Sequence, residues 1–313
     1  METIIRRYFD DFKAIKVDDY IALRKRHFNH LNESFEALMP YHTMIVLSLC
    51  YPNDKPQLIN HQYGLVSRYA CGIDYHIEIS QRMRAVLEKL SLQSVSGIGF
   101  VDVSPIDERF AALVGGLGYI GHNQFLIHPD YGTHLYLATL LISKPLVTSP
   151  NAPDDCGDCR RCIDACPTHA LDGKGFHKHL CLSYLSQAKE PFDYHQISAF
   201  GSMVFGCDIC QDVCPKNRNI KTDKHPVFAL DEHSQLHLES LLKMSNKAFL
   251  KKYSDKAFSY RGGLVLKRNA MVLYHRYKAK EHLPLMRAVA EKYKHVSWFY
   301  DSARLIIDEM EKL

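Results

Sequence analysis

The chain has 313 residues, 46% of them hydrophobic and 24% charged, with a formal net charge of +4. That size and balance suit two or three globular domains, and so mild a basic excess neither demands nor rules out a nucleic-acid partner. No run of roughly 18 apolar residues exists to cross a membrane, and the charged opening METIIRRYFDDFKAIKVDDY lacks the apolar core of a secretory signal, so a cytoplasmic location with no membrane partner is expected.

Residues 1–150 read as a mixed α/β domain. The run TMIVLSLC (43–50) is short, apolar and rich in strand formers. Residues 74–92 place Ile77, Met83, Val86, Leu87 and Leu90 at helical spacing. IGFVDV (98–103) reads as a buried strand, residues 107–114 as a short helix, and LYLATLLIS (135–143) as another strand. GGLGYIG (115–121) suits a loop where backbone must approach something closely. The proline-rich PLVTSPNAP (145–153) reads as a linker. Residues 151–225 hold a cysteine-rich module. Residues 226–313 predict helices: a pair opening at 262–273, an amphipathic stretch over 288–313, and room for at most one HEAT-like hairpin.

Eight of the ten cysteines lie between residues 156 and 214. A secreted, disulfide-stapled domain would be short and carry a signal, so clustered cysteines here point to metal. CGDCRRCIDACP sets Cys156, Cys159, Cys162 and Cys166 before Pro167, the C-x2-C-x2-C-x3-C-P run of two-cluster ferredoxins. Two-residue gaps let three thiolates of one tight loop reach three corners of a cubane, while the fourth starts a helix turned toward another cluster. CDICQDVCP adds Cys207, Cys210 and Cys214, and Cys181 stands between the runs. Eight thiolates match two 4Fe-4S clusters. The crossover rule gives Cys156, Cys159, Cys162 and Cys214 to one and Cys166, Cys181, Cys207 and Cys210 to the other. Structural zinc is the weaker alternative, because it favours paired C-x2-C motifs with four ligands per site. A mere electron carrier would need only this module. The remaining chain implies a second redox partner in residues 1–150.

Three further segments carry a resemblance: SRYACGIDYH (67–76), FVDVSPIDERFAALVGGLGYIGHNQFLI (100–127) and KRNAMVL (267–273). With the eight-cysteine module they resemble the epoxyqueuosine reductase family, over about residues 40–275. The resemblance implies an α/β N-terminal cobalamin-binding domain (1–150), a ferredoxin-like two-cluster module (151–225) and a short α-helical, HEAT-like tail (226–313). It implies that electrons pass from the clusters to cobalamin, and that an epoxide on a tRNA anticodon base is reduced to the alkene of queuosine. The family's catalytic aspartate falls on Asp102. At the end of a buried strand its carboxyl is expected to have a raised pKa and to serve as the proton donor. The alternative is that Asp102 caps the next turn. Arg68, Tyr75, His76, Arg109 and Asn123 are implied in cobalamin or substrate binding, with an ion pair to Asp107 or Glu108 as the alternative for Arg109. Cys71, His122, Thr139 and the run Ser186, Gln187, Ala188 depart from the family pattern and bear on substrate contacts. Cys50 and Cys71 read as ordinary buried thiols.

The anticodon stem-loop of tRNA is the expected partner. Lys216, Arg218, Lys221, Lys251, Lys252, Arg261, Lys267 and Arg268 would track its phosphates if they share one face. A reduced flavodoxin or ferredoxin is the expected electron donor, and a monomer the expected state. Two other readings stand beside this one: a cobalamin and iron–sulfur reductase acting on a small molecule, and a non-enzymatic iron–sulfur electron carrier.

Overall fold

A computed structural model describes residues 1–28, 34–221 and 225–313. The chain forms two compact units, each assembled from separate stretches. The first takes residues 1–52, 75–160 and 214–225, and the second residues 53–74, 161–213 and 226–313.

An antiparallel sheet of four strands organises the first unit, in the order Asp11–Lys16, Thr43–Cys50, Leu135–Ile142, Gly97–Phe100. Thr43–Cys50 is paired on both sides and every residue in it is buried, which explains its largely apolar run. Leu135–Ile142 is also internal, and Thr139 lies opposite both Val46 and Phe100. The edge strand Asp11–Lys16 was not legible in DFKAIK. Its Lys13 is buried, and its Nζ donates to the Ser149 carbonyl at 2.9 Å. The helix Tyr75–Ser91 buries Ile79, Met83, Val86 and Leu90. The helix Glu108–Val114 puts Phe110, Ala111 and Ala112 into a core shared with Tyr20, Met44, Val46, Leu117 and Leu141. The glycine loop contains the short hairpin Tyr119–Ile120 and Leu126–Ile127. A Cβ on Gly118 would stand 2.2 Å from the Ile127 carbonyl oxygen, so the hairpin's own closeness demands that glycine.

The second unit holds a small three-stranded sheet, Met203–Phe205, Tyr63–Val66, Gln235–His237. The helices Leu238–Lys243, Asn246–Lys252, Gly263–Arg276, Leu283–Lys292 and Ser297–Lys312 follow. The stretch expected as one amphipathic element over 288–313 is two helices, because Tyr293 to Val296 turn the chain between them. Ser297–Lys312 buries Phe299, Ile306, Ile307 and Met310, each worth about 1.5–3 kcal/mol of apolar transfer.

Helix Gly263–Arg276 is buried along nearly its whole length, and this corrects the reading of Lys267 and Arg268 as phosphate-tracking groups. Lys267 is 2% exposed, and its ammonium donates to the carbonyls of Leu241, Leu242 and Met244. Arg268 is fully buried. Its guanidinium donates to the carbonyls of Leu185, Ala188 and Glu190 and stacks on Phe192 at 3.7 Å. Asn269 donates to the carbonyls of Ser186 and Val204 at 2.7 and 2.8 Å. The KRN triplet thus holds backbone that would otherwise be buried and unsatisfied. Lys251 and Lys252 remain exposed. Among the described residues, no helix is long and apolar enough to cross a membrane.

Candidate active site and cluster ligands

The strand Gly97–Phe100 ends earlier than its sequence suggests, and the chain then bends. Asp102 adopts a left-handed backbone with φ of 57°, a conformation rare for a residue with a Cβ. Its N–H donates to Glu108 Oε1 at 2.9 Å. Its Oδ2 meets His76 Nε2 at 2.8 Å and accepts a hydrogen bond from the Tyr75 hydroxyl. Tyr75 stacks on Tyr136, with ring centroids 4.4 Å apart and planes at 10°.

Asp102, Tyr75 and His76 therefore form one group at the start of the helix Tyr75–Ser91. The capping alternative for Asp102 fails, because Asp107 is the N-cap of the next helix and accepts from the Phe110 N–H at 3.0 Å. The Asp102 side chain is 46% exposed and that of His76 42%, so the group faces outward. The flanking Val103 is 93% exposed and Ile77 36%.

The expected rise in the Asp102 pKa is not found. Desolvation pushes the carboxyl up, but the hydrogen bonds from His76 and Tyr75 outweigh it and leave it below its ordinary value. The raised carboxyl is instead Glu108, pushed up to about 8 by desolvation and by the neighbouring Asp102. Glu108 entered the sequence reading only as a possible partner for Arg109. The signal that could have found it is its place in the same shared segment as Asp102.

Arg109 donates to the Gln124 carbonyl at 2.9 Å, bracing the glycine hairpin. Asn123 is 5% exposed and accepts from the Phe125 N–H in that same turn. Arg68 belongs to the second unit and is 2% exposed. It pairs with Asp212 at 2.5 Å and lies 3.6 Å from Asp208, and it donates to Asn53 Oδ1 at 3.0 Å. Arg68 and Asn123 are thus engaged in their own surroundings. Gly72, two residues before Asp74, has φ of 67°, and a Cβ there would lie 2.4 Å from the Val227 carbonyl oxygen. Cys71 is a buried free thiol that desolvation pushes up to about 12, and Cys50 is likewise buried.

The clustered cysteines form no disulfides. Cys156, Cys159 and Cys214 lie in the first unit, and Cys162, Cys166, Cys181, Cys207 and Cys210 in the second. Cys156 and Cys159 both act on Cys214, whose thiol is raised first by desolvation and then by them. In the second unit desolvation pushes Cys207 up to about 12, with help from Cys181 and Cys166. Cys210 is also raised well above its ordinary value, by desolvation and then by Cys207, Cys181, Cys162 and Cys166. Cys166 is held below its ordinary value: desolvation raises it, but the Thr168 hydroxyl and the backbone N–H groups of Leu171, Thr168 and Ala170 prevail. Thiols that crowd one another while backbone N–H groups point at their sulfurs form a donor set suited to iron. The buried Tyr119 hydroxyl is raised by desolvation and then by Cys156, its charge and its hydrogen bond both acting, which places a polar donor beside one of the clustered sulfurs.

Comparison with known proteins agrees with this chemistry. Residues 155–217 match the 4Fe-4S double cluster binding domain, which makes the chain an iron–sulfur protein of the two-cluster class. Residues 33–103 match the family described as epoxyqueuosine reductase QueG, DUF1730. The epoxyqueuosine reductase of Staphylococcus aureus is 34% identical over 79% of this chain and 67% of its own length. That of Listeria monocytogenes is 33% identical over 77% of this chain and 66% of its own. That of Lactococcus garvieae is 29% identical over 96% and 90%. The chain belongs to the epoxyqueuosine reductase family, and it spans about two thirds of the length of several curated relatives it matches. A solved epoxyqueuosine reductase from Streptococcus thermophilus has the same fold, with a TM-score of 0.86 and 24% identity over 100% of this chain and 88% of that one. Another, solved with a tRNA-Tyr epoxyqueuosine-modified stem loop, gives 0.82 and 22% over 99% and 98%.

Proposed function

We propose that the protein reduces epoxyqueuosine to queuosine in the anticodon loop of tRNA. The observation that carries this reading is the Asp102, His76 and Tyr75 group, built on a chain that holds both the family's matched segment and a double-cluster module. We propose the ligand sets given by the crossover rule, Cys156, Cys159, Cys162 and Cys214 for one 4Fe-4S cluster and Cys166, Cys181, Cys207 and Cys210 for the other. The influence of Cys156 and Cys159 on Cys214, and of Cys181 and Cys166 on Cys207, supports those members of the two sets, while Cys162, which acts on Cys210, is placed in the first set by the crossover rule alone. The functional division proposed is residues 1–150 for substrate and cobalamin, 151–225 for the clusters and 226–313 for a helical, HEAT-like tail. A cytoplasmic setting, a monomeric state and a flavodoxin or ferredoxin donor complete the proposal.

The exposed apolar side chains of Val103 and Ile77, beside a stacked tyrosine pair, suit the flank of a flat macrocycle such as the family's cobalamin. When bound, that cofactor supplies the reducing equivalents for opening the epoxide. The work of this chain is proton delivery. Reduction of the epoxide to the alkene takes two electrons and two protons, and the oxygen leaves as water. Asp102 is the proposed donor to that oxygen. In the open site it is ionised. Covering it with substrate would strip water from a half-exposed carboxylate, strengthen the desolvation already acting on it and move its pKa up toward the working range. Tyr75 and His76 keep the carboxyl aimed and offer protons to Oδ2. Tyr75, His76 and Arg109 are proposed to line the substrate pocket, and Arg68 and Asn123 to shape it from within their buried networks.

The test is anaerobic reconstitution with iron, sulfide and cobalamin, then incubation with a reductant and tRNA from cells lacking this activity. About eight irons per chain, and loss of one oxygen's mass from the nucleoside, is the expected result. Full iron loading with no change in the nucleoside would sink the reductase reading.

A further inference from the structure

Asp102 poses a physical problem. A left-handed backbone at a residue with a Cβ is a cost that surrounding contacts must offset. The strand has ended at Phe100, so no sheet partner holds the residue. We propose that Glu108 is a positioning residue for Asp102: its side-chain oxygen holds the Asp102 N–H, and with it the turn that aims the Asp102 carboxylate at Tyr75 and His76.

The geometry is direct. Glu108 lies in the first turn of the helix Glu108–Val114, whose N-cap Asp107 is itself paired with Arg24 at 3.0 Å. From that anchored end, Glu108 Oε1 reaches back six residues to the Asp102 N–H at 2.9 Å. One helix end thereby sets the conformation of the loop that carries the carboxylate.

The charge state of Glu108 matters to how it does this. Asp102, His76 and Asp107 face it, and Tyr75 bonds Asp102 from the same side as His76. Desolvation and the Asp102 charge push Glu108 up to about 8, so at neutral pH it accepts the N–H bond as an uncharged acid. As pH rises through about 8 it ionises beside Asp102, and two like charges then oppose the arrangement. Glutamine keeps the accepting oxygen and stays neutral at every pH. Leucine keeps the bulk and removes the acceptor.

This inference rests on the reading of Asp102 as the proton donor, so its test includes a measurement that does not depend on turnover. Amide hydrogen exchange by mass spectrometry, over a peptide covering residues 101–107, is compared for the reconstituted protein and for Glu108→Leu and Glu108→Gln. In Glu108→Leu, exchange is expected to quicken about tenfold, as loss of one hydrogen bond implies. Turnover of the modified tRNA should fall by at least a similar factor, with KM little changed. Glu108→Gln is expected to restore both and to remove the loss of turnover near pH 8. Unchanged exchange in Glu108→Leu, or a Glu108→Gln variant as impaired as Glu108→Leu, would overturn the proposal. Faster exchange with unaltered turnover would support the hold on Asp102 and count against Asp102 as the donor.

Discussion

Replacing Arg268 with methionine tests how far the second unit depends on one buried cation. Methionine keeps most of the bulk against Phe192 and Trp298 but donates nothing. The carbonyls of Ala188 and Glu190 then lose the guanidinium, as does Asn269 Oδ1, while Leu185 keeps the Ala188 N–H at 3.2 Å. A buried acceptor left unsatisfied costs about 1–3 kcal/mol. Removing the charge returns part of this, because desolvation already pushes the guanidinium down to about 9. The net loss should be about 3–5 kcal/mol, the range for breaking a buried charged network. At roughly 2–4 °C per kcal/mol for a body of 150–250 residues, the melting temperature should fall by about 10 °C. Circular dichroism of the anaerobic, reconstituted protein reads that shift. The segment at stake follows Cys181, so iron content should fall in parallel. A melting temperature within about 2 °C of the parent, with full iron, would refute the assignment of Arg268 as the pin of this segment.

Three further outcomes are expected. Asp102→Asn should reduce turnover by about 10²–10⁴-fold, or roughly 3–5 kcal/mol of barrier, while binding of the stem-loop is retained; full multiple-turnover activity would dismiss the general-acid role. Cys162→Ser should lose about half of the iron and all turnover, measured by iron assay and nucleoside mass, with tRNA affinity little altered. Gly72→Ala forces a Cβ into the Val227 carbonyl at a positive φ, and should destabilise the fold by about 2–4 kcal/mol in a thermal melt.

The sequence was most informative where chemistry is written in covalent spacing. Seven cysteines at ferredoxin intervals, with Cys181 between the two runs as the eighth, point to their metal without any knowledge of the fold. The strand Thr43–Cys50 was equally plain, because a strand paired and packed on both sides admits polar side chains only where they are satisfied, as Thr43 is by the Lys144 carbonyl and Ser48 by the Asp11 carbonyl. Asp102 was legible through resemblance alone, and the direction of its pKa was not legible at all. That direction depends on Tyr75 and His76, more than twenty residues earlier, folding against it. The KRN triplet misled for a related reason. Lysine and arginine suggest solvent and phosphate, yet here they serve carbonyls inside a helical core. Only the surrounding helix, buried on almost every side, reveals that.

The setting of Val103 and Ile77 has a thermodynamic consequence. Apolar side chains left facing water beside a half-exposed carboxylate represent folding free energy not yet gained. Whatever covers them adds its own binding free energy to the stability of the first unit, by an amount that grows with the logarithm of its concentration. The stability of the first unit would then follow the supply of any ligand that covers them. A cell short of that ligand would hold not merely an idle enzyme but a more perishable one.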